Sequence, residues 1–387
     1  MTGLDTLPLT RPAEQLVTVF GGSGFLGRHV VRALAKRGYR IRVAVRRPDL
    51  ALFLQPLGKV GQIVAVQANL RYPDSIARAV EGADAVVNLV GILQESARQR
   101  FSTLQAEGAG EIARAATGVG AALVHVSALG ADEGSDSLYA RSKALGEQQV
   151  FAARPDAVVF RPSIVFGPGD SFFNRFAALA RALPVLPLAG AQTRFQPVFV
   201  GDVAEAIARA VEGGVPGGKV YELGGPEVET LEGLVRYMLS VTMRRRLVVA
   251  LPVPAARLQA RALEIADKLT LGLLPDELKL TRDQITLLQS DNVVSEAAKA
   301  EGRTIEALGI VPTAVEAVVP GYLWRFRKAG QFTTGRGTEA MAEVPDTLSA
   351  SPMDAGSQHR PDRASGPAIG ADAAGASRMG KRWGSRA

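Results

Sequence analysis

The chain is 387 residues long, more than one hydrophobic core usually holds, which predicts two domains or one large α/β domain with an appendix. Hydrophobic residues make up 47% and charged residues 21%, so most of it can fold, and 41 glycines and 22 prolines without a three-residue period exclude a collagen-like chain. The absence of cysteine removes disulfides, thiolate zinc sites, iron–sulfur clusters and Cys nucleophiles, three histidines leave no multi-histidine metal centre, and a net charge of +7 favours anionic partners in general.

Residues 1–14 include Asp5 and Glu14 and have no apolar stretch, so they read as a flexible N-terminus rather than a secretory or transit peptide, and a reducing cytoplasmic compartment is expected. Strands are predicted at 16–20, 41–45, 63–66, 85–90, 123–127 and 157–160. Each is apolar nearly throughout, the pattern of parallel strands buried on both faces. Helical patterns lie between them, as at 25–37 before Gly38 and 98–117 before Gly118. This βαβα alternation predicts an α/β fold, a Rossmann-type doubly wound parallel sheet, over residues 15–230. After Pro162 the pattern loosens: 167–188 reads as loop-rich and contributes to a substrate lobe at about 163–200, 203–211 as a helix and 220–223 as a strand. Residues 231–330 read as a smaller, mainly helical C-terminal subdomain, with helices at 255–269, 282–288 and 314–328. From 331 to 387, 29 of the 57 residues are Ala, Gly, Ser or Pro, which predicts a disordered tail.

The longest apolar run, 85–93, is interrupted by Asn88 and is far shorter than the about 20 residues of a transmembrane helix. The densest basic cluster in the folded part, Arg244-Arg245-Arg246, has no interleaved aromatics, so nucleic acid is not an expected partner.

The sharpest chemical signal is GGSGFLG, where Gly21, Ser23, Gly24, Phe25, Leu26 and Gly27 follow the first strand and open the first helix. Gly21 permits the turn, Gly24 the approach of a pyrophosphate and Gly27 close helix–strand packing, while the helix N-terminus offers free N–H donors. The second strand runs into Arg46 and Arg47, and guanidinium groups suit a 2′-phosphate, which favours NADP(H) with NAD(H) as the alternative. Two solvated arginines in a surface loop is the plainer reading. Asn69 and Leu70 follow the third strand and Val90 and Gly91 the fourth, positions that face a dinucleotide at the carboxyl edge of a parallel sheet. Asn69 serves equally as a turn-former before Tyr72-Pro73.

A second constellation is Ser127, Tyr139 and Lys143. Tyr139 and Lys143 are four apart and share a helix face, so the ammonium is expected to lower the phenol pKa and fit it for proton transfer, with Ser127 bonding a substrate oxygen. His125 reads as a packed histidine and His29 as a surface one. Arg161 and Asp202 are candidates to pair structurally or to fix the lobe over the cofactor.

GGSGFLG, HVSALGA, YARSKALGE, RPSIVFGPGD and FQPVFVGDVA together resemble the atypical and extended short-chain dehydrogenase/reductase superfamily, whose glycine spacing is G-x-x-G-x-x-G. VNLVGIL, FQPVFVGDVAEA, LTRDQITLLQSDNVV and VPTAVEAVVPGYLWRFR further resemble the nucleotide-binding accessory subunits of respiratory complex I and their bacterial homologues, over roughly residues 15–328. The resemblance implies a bound NADPH of structural rather than redox role, complex I subunits as partners, and a peripheral place at the inner face of the energy-transducing membrane, against an anionic surface. It puts the phosphate loop on Gly21, Gly24 and Gly27, the ribose-binding lysine on Lys143, and the nicotinamide-contacting loop on Pro162, Ser163 and Ile164. One departure is Gln105, in Gln105-Ala-Glu-Gly108-Ala109, where active extended members carry Asn in N-x-x-G-T. Turnover on a small carbonyl, sugar-nucleotide or quinone-like substrate is the alternative function.

Overall fold

The computed structural model describes residues 12–93, 95, 99–252, 254–259, 261, 281–328 and 330. The strands β1 (Leu16–Phe20), β2 (Arg40–Val45), β3 (Ile63–Gln67), β4 (Ala85–Asn88), β5 (Ala122–Val126), β6 (Val158–Pro162) and β11 (Lys219–Leu223) form one sheet in the order β11-β6-β5-β4-β1-β2-β3. All neighbours in it are parallel. Two short pairs stand outside it, β7 (Val165–Phe166) with β10 (Val198–Phe199) and β9 (Arg194–Phe195) with β12 (Glu229–Thr230). In β1, Val17 pairs with Ile41 of β2 on one side and with Ala85 of β4 on the other. The strand order reverses here, so the loops leaving β1 and β4 flank the crevice where doubly wound sheets take ligands.

The alternation of side chains divides β1 between two cores. Val17 and Val19 face a layer of α1 (Phe25–Lys36) and α6 (Val200–Val211), where Leu34 and Ile207 are fully buried. Phe20 faces the opposite layer, built on α2 (Pro73–Val80), α3 (Gly108–Gly118) and α4 (Leu138–Ala153) around Ile76, Ile112 and Val150. Thr18, on that same face, is buried because its hydroxyl donates to the Ala79 carbonyl at 2.9 Å. A further core takes α5 (Phe172–Ala182), α7 (Leu231–Val241) and the parallel pair β8 (Val185–Ala189) and β13 (Leu247–Leu251). Phe166, Phe173, Met238 and Leu323 fill it, each stabilising by about 1.5–3 kcal/mol relative to exposure.

The strand predictions are met within two residues, with reasons for the shifts. β4 stops at Asn88 instead of Val90 because the Asn88 side chain accepts the Val90 N–H at 3.0 Å, taking the amide that would extend the ladder. The segment read as loop-rich contains α5, whose buried Phe173, Ala177 and Ala180 repeat at helical spacing behind a glycine-rich turn. The helix expected at 98–117 begins, where described, as a π-helical stretch, Ser102–Glu107, before α3. The helix expected at 314–328 is broken into Val315–Val318, Pro320–Leu323 and a 3₁₀ turn, Trp324–Phe326, because Pro320 has no N–H to continue the first of them. Residues 1–11, the tail from 331 and most of the predicted helix 255–269 lie outside the described residues. Among the described residues no helix is long and apolar enough to cross a membrane.

Candidate functional site

The glycine loop is built for close approach. Gly21 has φ +78°, and a Cβ there would lie 3.3 Å from the Val90 amide nitrogen, so the loops after β1 and β4 touch backbone to backbone. Gly24 N–H donates to the Gly21 carbonyl at 3.0 Å, closing the turn. A Cβ on Gly27 would sit 2.4 Å from the Gly21 carbonyl oxygen and 2.6 Å from Gly22 Cα, which only glycine permits. Gly22, to which sequence reasoning gave no role, is equally constrained, its Cβ falling 2.8 Å from Val43 Cγ1. Gly24 caps α1 without a side-chain bond, so the first-turn N–H groups of Phe25, Leu26 and Gly27 have no capping acceptor. Gly24 is open to solvent beside them and Ser23 is half-buried, whereas Leu26 packs on the core and the Phe25 ring lies edge-on to His29 at 5.8 Å. His29 is half-buried, not on the surface as expected, and burial with the charges of Arg28 and Arg32 lowers its pKa. This cradle fits a pyrophosphate: it is narrow, glycine-walled and lined by free donors.

One strand along from β1, Arg46 and Arg47 are exposed just past the carboxyl end of β2. Arg47 is paired with Asp49 at 2.9 Å, whereas Arg46 has no carboxylate partner among the described residues. Asn69 acts as the turn-former: its Oδ1 accepts the Arg71 N–H at 3.2 Å and its carbonyl accepts from Ser75 Oγ at 2.9 Å. Leu70 packs against Gly108 at the start of α3.

Of the second constellation, Lys143 reaches between the end of β5 and the loop after β4. Lys143 is buried and its Nζ donates to the Val126 carbonyl at 3.2 Å, while a Cβ on Gly91 would lie 3.3 Å from the same Nζ. Burial lowers the Lys143 pKa to about 8, opposed by the charge of Glu147. Glu147 is held by Arg161 in a two-pronged pair at 2.8 and 2.6 Å, and Asp202 instead accepts from Thr313 at 2.7 and 3.1 Å, so Arg161 and Asp202 do not pair with each other.

Ser127 lies one residue past β5, and its Oγ is buried without a hydrogen-bond partner. Such an orphan is costly unless a ligand satisfies it, and together with the glycine cradle it fits a nicotinamide-bearing nucleotide and a carbonyl or hydroxyl oxygen. Tyr139 is half-buried in the first turn of α4, its ring edge-on to Phe101 at 5.8 Å. The sequence expectation for its acidity is reversed. Burial, and then the charge of Asp283, push the Tyr139 pKa up to about 12.

Asp283 is a residue that sequence reasoning passed over. Its carboxylate accepts the Leu138 N–H at 2.7 Å and the Ser137 hydroxyl at 3.0 Å, closing the start of α4 from a segment far along the chain. Asn292 is another: its Oδ1 accepts from Ser163 Oγ at 2.7 Å and its Nδ2 donates to the Leu129 carbonyl at 3.3 Å. The Ser163 hydroxyl is thereby committed to the protein, the Pro162 carbonyl accepts from Leu129 and the Ile164 carbonyl from Val198, so the 162–164 loop is fixed on all sides. Gln105 ties the loop after β4 to α4, its Nε2 donating to the Ile92 carbonyl at 2.6 Å and its Oε1 accepting from Ser142 Oγ at 2.7 Å. His125 is packed as expected: Nδ1 meets Asn88 Nδ2 at 3.1 Å, Nε2 has no partner, and burial with the charge of Lys143 lowers its pKa to about 3. Among the described residues no group of three or more His, Asp or Glu side chains could hold a metal ion.

Residues 17–224 match the model of the NAD dependent epimerase/dehydratase family. The chain is 34% identical over 320 residues to the NADH dehydrogenase [ubiquinone] 1 alpha subcomplex subunit 9 of Arabidopsis thaliana, covering 81% of this chain and 79% of that one. It is 38% identical over 192 residues to a ceramide reductase of Caulobacter vibrioides, covering 50% and 59%. Among solved structures, the NADPH-dependent quinone oxidoreductase of Escherichia coli complexed with NADPH is similar at a TM-score of 0.60 and 20% identity, covering 80% of this chain and 99% of that one, a likeness of fold. The chain belongs to the NAD dependent epimerase/dehydratase family, and is a homologue of the alpha subcomplex subunit 9 proteins of mitochondrial NADH dehydrogenase.

Proposed function

We propose that this protein is an accessory subunit of a membrane-associated NADH dehydrogenase, respiratory complex I, at the inner face of the energy-transducing membrane, and that it holds NADP(H) as a structural cofactor. The observation that carries this reading is the likeness to subunit 9 proteins across about four-fifths of both chains, 81% and 79%. The cleft supports retention over turnover: burial and the charge of Asp283 raise the Tyr139 pKa, which disfavours the ionised phenol that would act as a base, and Gln105 spends both ends of its amide on the Ile92 carbonyl and on Ser142 of α4. When bound, the dinucleotide supplies a hydride donor. The chain's own part is to seat the pyrophosphate on the N–H groups of Phe25, Leu26 and Gly27, to place Lys143 by the ribose, and to set the exposed Arg46 toward a 2′-phosphate, which favours NADP(H) over NAD(H). A tagged chain recovered from detergent-solubilised membranes of its own cell is expected to bring complex I subunits with it. A free monomer whose deletion leaves NADH-driven respiration unchanged would sink the proposal.

The unpartnered Ser127 hydroxyl favours a second reading, a reductase or epimerase acting on a carbonyl, sugar-nucleotide or quinone-like substrate. There Ser127 donates to the substrate oxygen and Tyr139, protonated at neutral pH, passes its proton to the same atom as the carbonyl carbon is reduced. Tyr139→Phe then costs orders of magnitude in rate and leaves nucleotide affinity nearly intact. An unchanged rate rules this mechanism out.

A further inference from the structure

Neither the nucleotide cleft nor the parallel sheet uses Arg244, Arg245 and Arg246, which connect α7 to β13. Arg244 Nε donates to the Phe326 carbonyl at 2.9 Å and Arg246 Nε to the Ala180 carbonyl at 2.7 Å. These bonds fix the side chains and leave their charges uncompensated. Arg181 and Arg325 add two more, stacked over the Phe326 ring at 5.9 and 5.1 Å. Among the described residues none of the five has a carboxylate partner; Arg244, Arg245 and Arg246 line a cleft of about 500 Å³ together with Arg236, which is itself paired with Glu232 at 2.6 Å. Repulsion from Arg246 and Arg181 adds to burial in lowering the Arg244 pKa.

An apolar face continues from the same arginines. In the β8/β13 pair, Val185 stands opposite Leu247 and Pro187 opposite Val249. Leu186 and Leu188 turn into the core, so the other face shows solvent an apolar surface, with Leu247 64% exposed, Val185 39% and Val249 37%. The turn into β13 adds Met243, exposed in left-handed backbone at φ 52°, and the turn holding Phe326 adds an exposed Trp324. An apolar face rimmed by cations, with the neighbouring acid Glu232 already taken up by Arg236, is the composition that suits a headgroup layer, where the hydrocarbon enters and guanidinium forks meet phosphates. An acidic protein surface would satisfy the charge and leave the apolar face without a partner.

Resting on the membrane placement proposed above, we infer that the β8/β13 face and the arginines around Phe326 dock the protein directly on an anionic phospholipid bilayer, without need of nucleotide or of other subunits. The test is co-sedimentation of the full chain with vesicles of phosphatidylcholine alone and with about 30% phosphatidylglycerol. Partition onto the anionic vesicles is expected to be at least about tenfold stronger, and to collapse in about 0.5 M salt. Arg245→Glu and Leu247→Ser alter exposed side chains that make no hydrogen bond to another element, so the fold and retained nucleotide are expected to be unchanged. Arg245→Glu is expected to weaken partition about tenfold or more, and Leu247→Ser about fivefold with the same salt dependence. Lys36→Glu, an equal charge change on α1, is expected to act less than twofold. Equal partition onto both vesicles, or a Lys36→Glu loss as large as that of Arg245→Glu, would overturn the proposal. So would failure to bind either vesicle, and if Arg245→Glu then blocked recovery of a protein of the membrane complex, the face would belong to an acidic protein surface.

Discussion

Asp283 closes the helix turn that carries Tyr139: its carboxylate accepts the Tyr139 N–H at 3.4 Å and the Leu138 N–H at 2.7 Å, across a sequence separation of 144 and 145 residues. One carboxylate thus stabilises the start of α4 and sets the charge felt by the phenol. Asp283→Asn keeps an acceptor and removes the charge, so the Tyr139 pKa is expected to fall from its value of about 12, as read from the tyrosinate absorbance difference between each protein and its Tyr139→Phe counterpart. Asp283→Ala is expected to cost about 1–2 kcal/mol in denaturant unfolding. An unmoved Tyr139 titration in Asp283→Asn would remove Asp283 from the electrostatics of the site.

Acid stability depends on His125. Its folded pKa is depressed from 6.5 to about 3, so the unfolded chain binds a proton that the native one refuses between those values. The contribution is full above pH 6.5 and is lost as pH falls toward 3, an effect of up to a few kcal/mol. His125→Gln is expected to lower stability at neutral pH and to flatten the pH dependence in that window by one proton, measured by urea unfolding at a series of pH values. Parallel curves for the two proteins would contradict the assignment.

Which parts of the site are readable without coordinates follows from how local they are. The strand, glycine turn and helix of residues 16–36 are contiguous, and the spacing of Gly21, Gly24 and Gly27 carries the geometry itself. Tyr139 and Lys143 are readable as one helix face for the same reason. Their electrostatics are not, because burial and a carboxylate 144 positions away outweigh the neighbour at four residues. Asp283 and Asn292 sit in LTRDQITLLQSDNVV, whose family resemblance and capping box at Thr281 announce a relative and a helix and say nothing of what its first turn will touch. The helix α5 escaped because its apolar repeat follows Gly167-Pro168-Gly169, turn residues that mask the change of period.

The glycine cradle yields a paired test. Gly27→Ala places a methyl 2.4 Å from the Gly21 carbonyl, which costs about 1–3 kcal/mol and distorts the phosphate loop, so NADPH affinity is expected to fall at least about tenfold. Gly118→Ala, in the last turn of α3 with nothing within 4 Å, is expected to leave affinity unchanged and to raise stability by up to about 1 kcal/mol. Equal effects of the two on fluorescence-monitored NADPH binding would mean that the loop does not hold the pyrophosphate.

The proposed preference for NADP(H) rests on Arg46 rather than Arg47, whose guanidinium is engaged by Asp49 at 2.9 Å. Arg46→Ala is expected to weaken NADPH about tenfold, or about 1.4 kcal/mol, and to leave NADH within twofold, measured as dissociation constants by calorimetry. A parallel loss for both nucleotides would place the 2′-phosphate elsewhere.

The central claim is that the cleft between β1 and β4 retains a dinucleotide without consuming it. Native mass spectrometry of the purified chain, with absorbance of the released nucleotide at the end of incubation with aldehydes, ketones and quinones, addresses it directly. The account predicts one NADPH per chain, lost in Gly27→Ala and undiminished by any member of the panel. Nucleotide-free protein, or NADPH that exchanges freely and is oxidised by one of the carbonyl or quinone compounds, would contradict it.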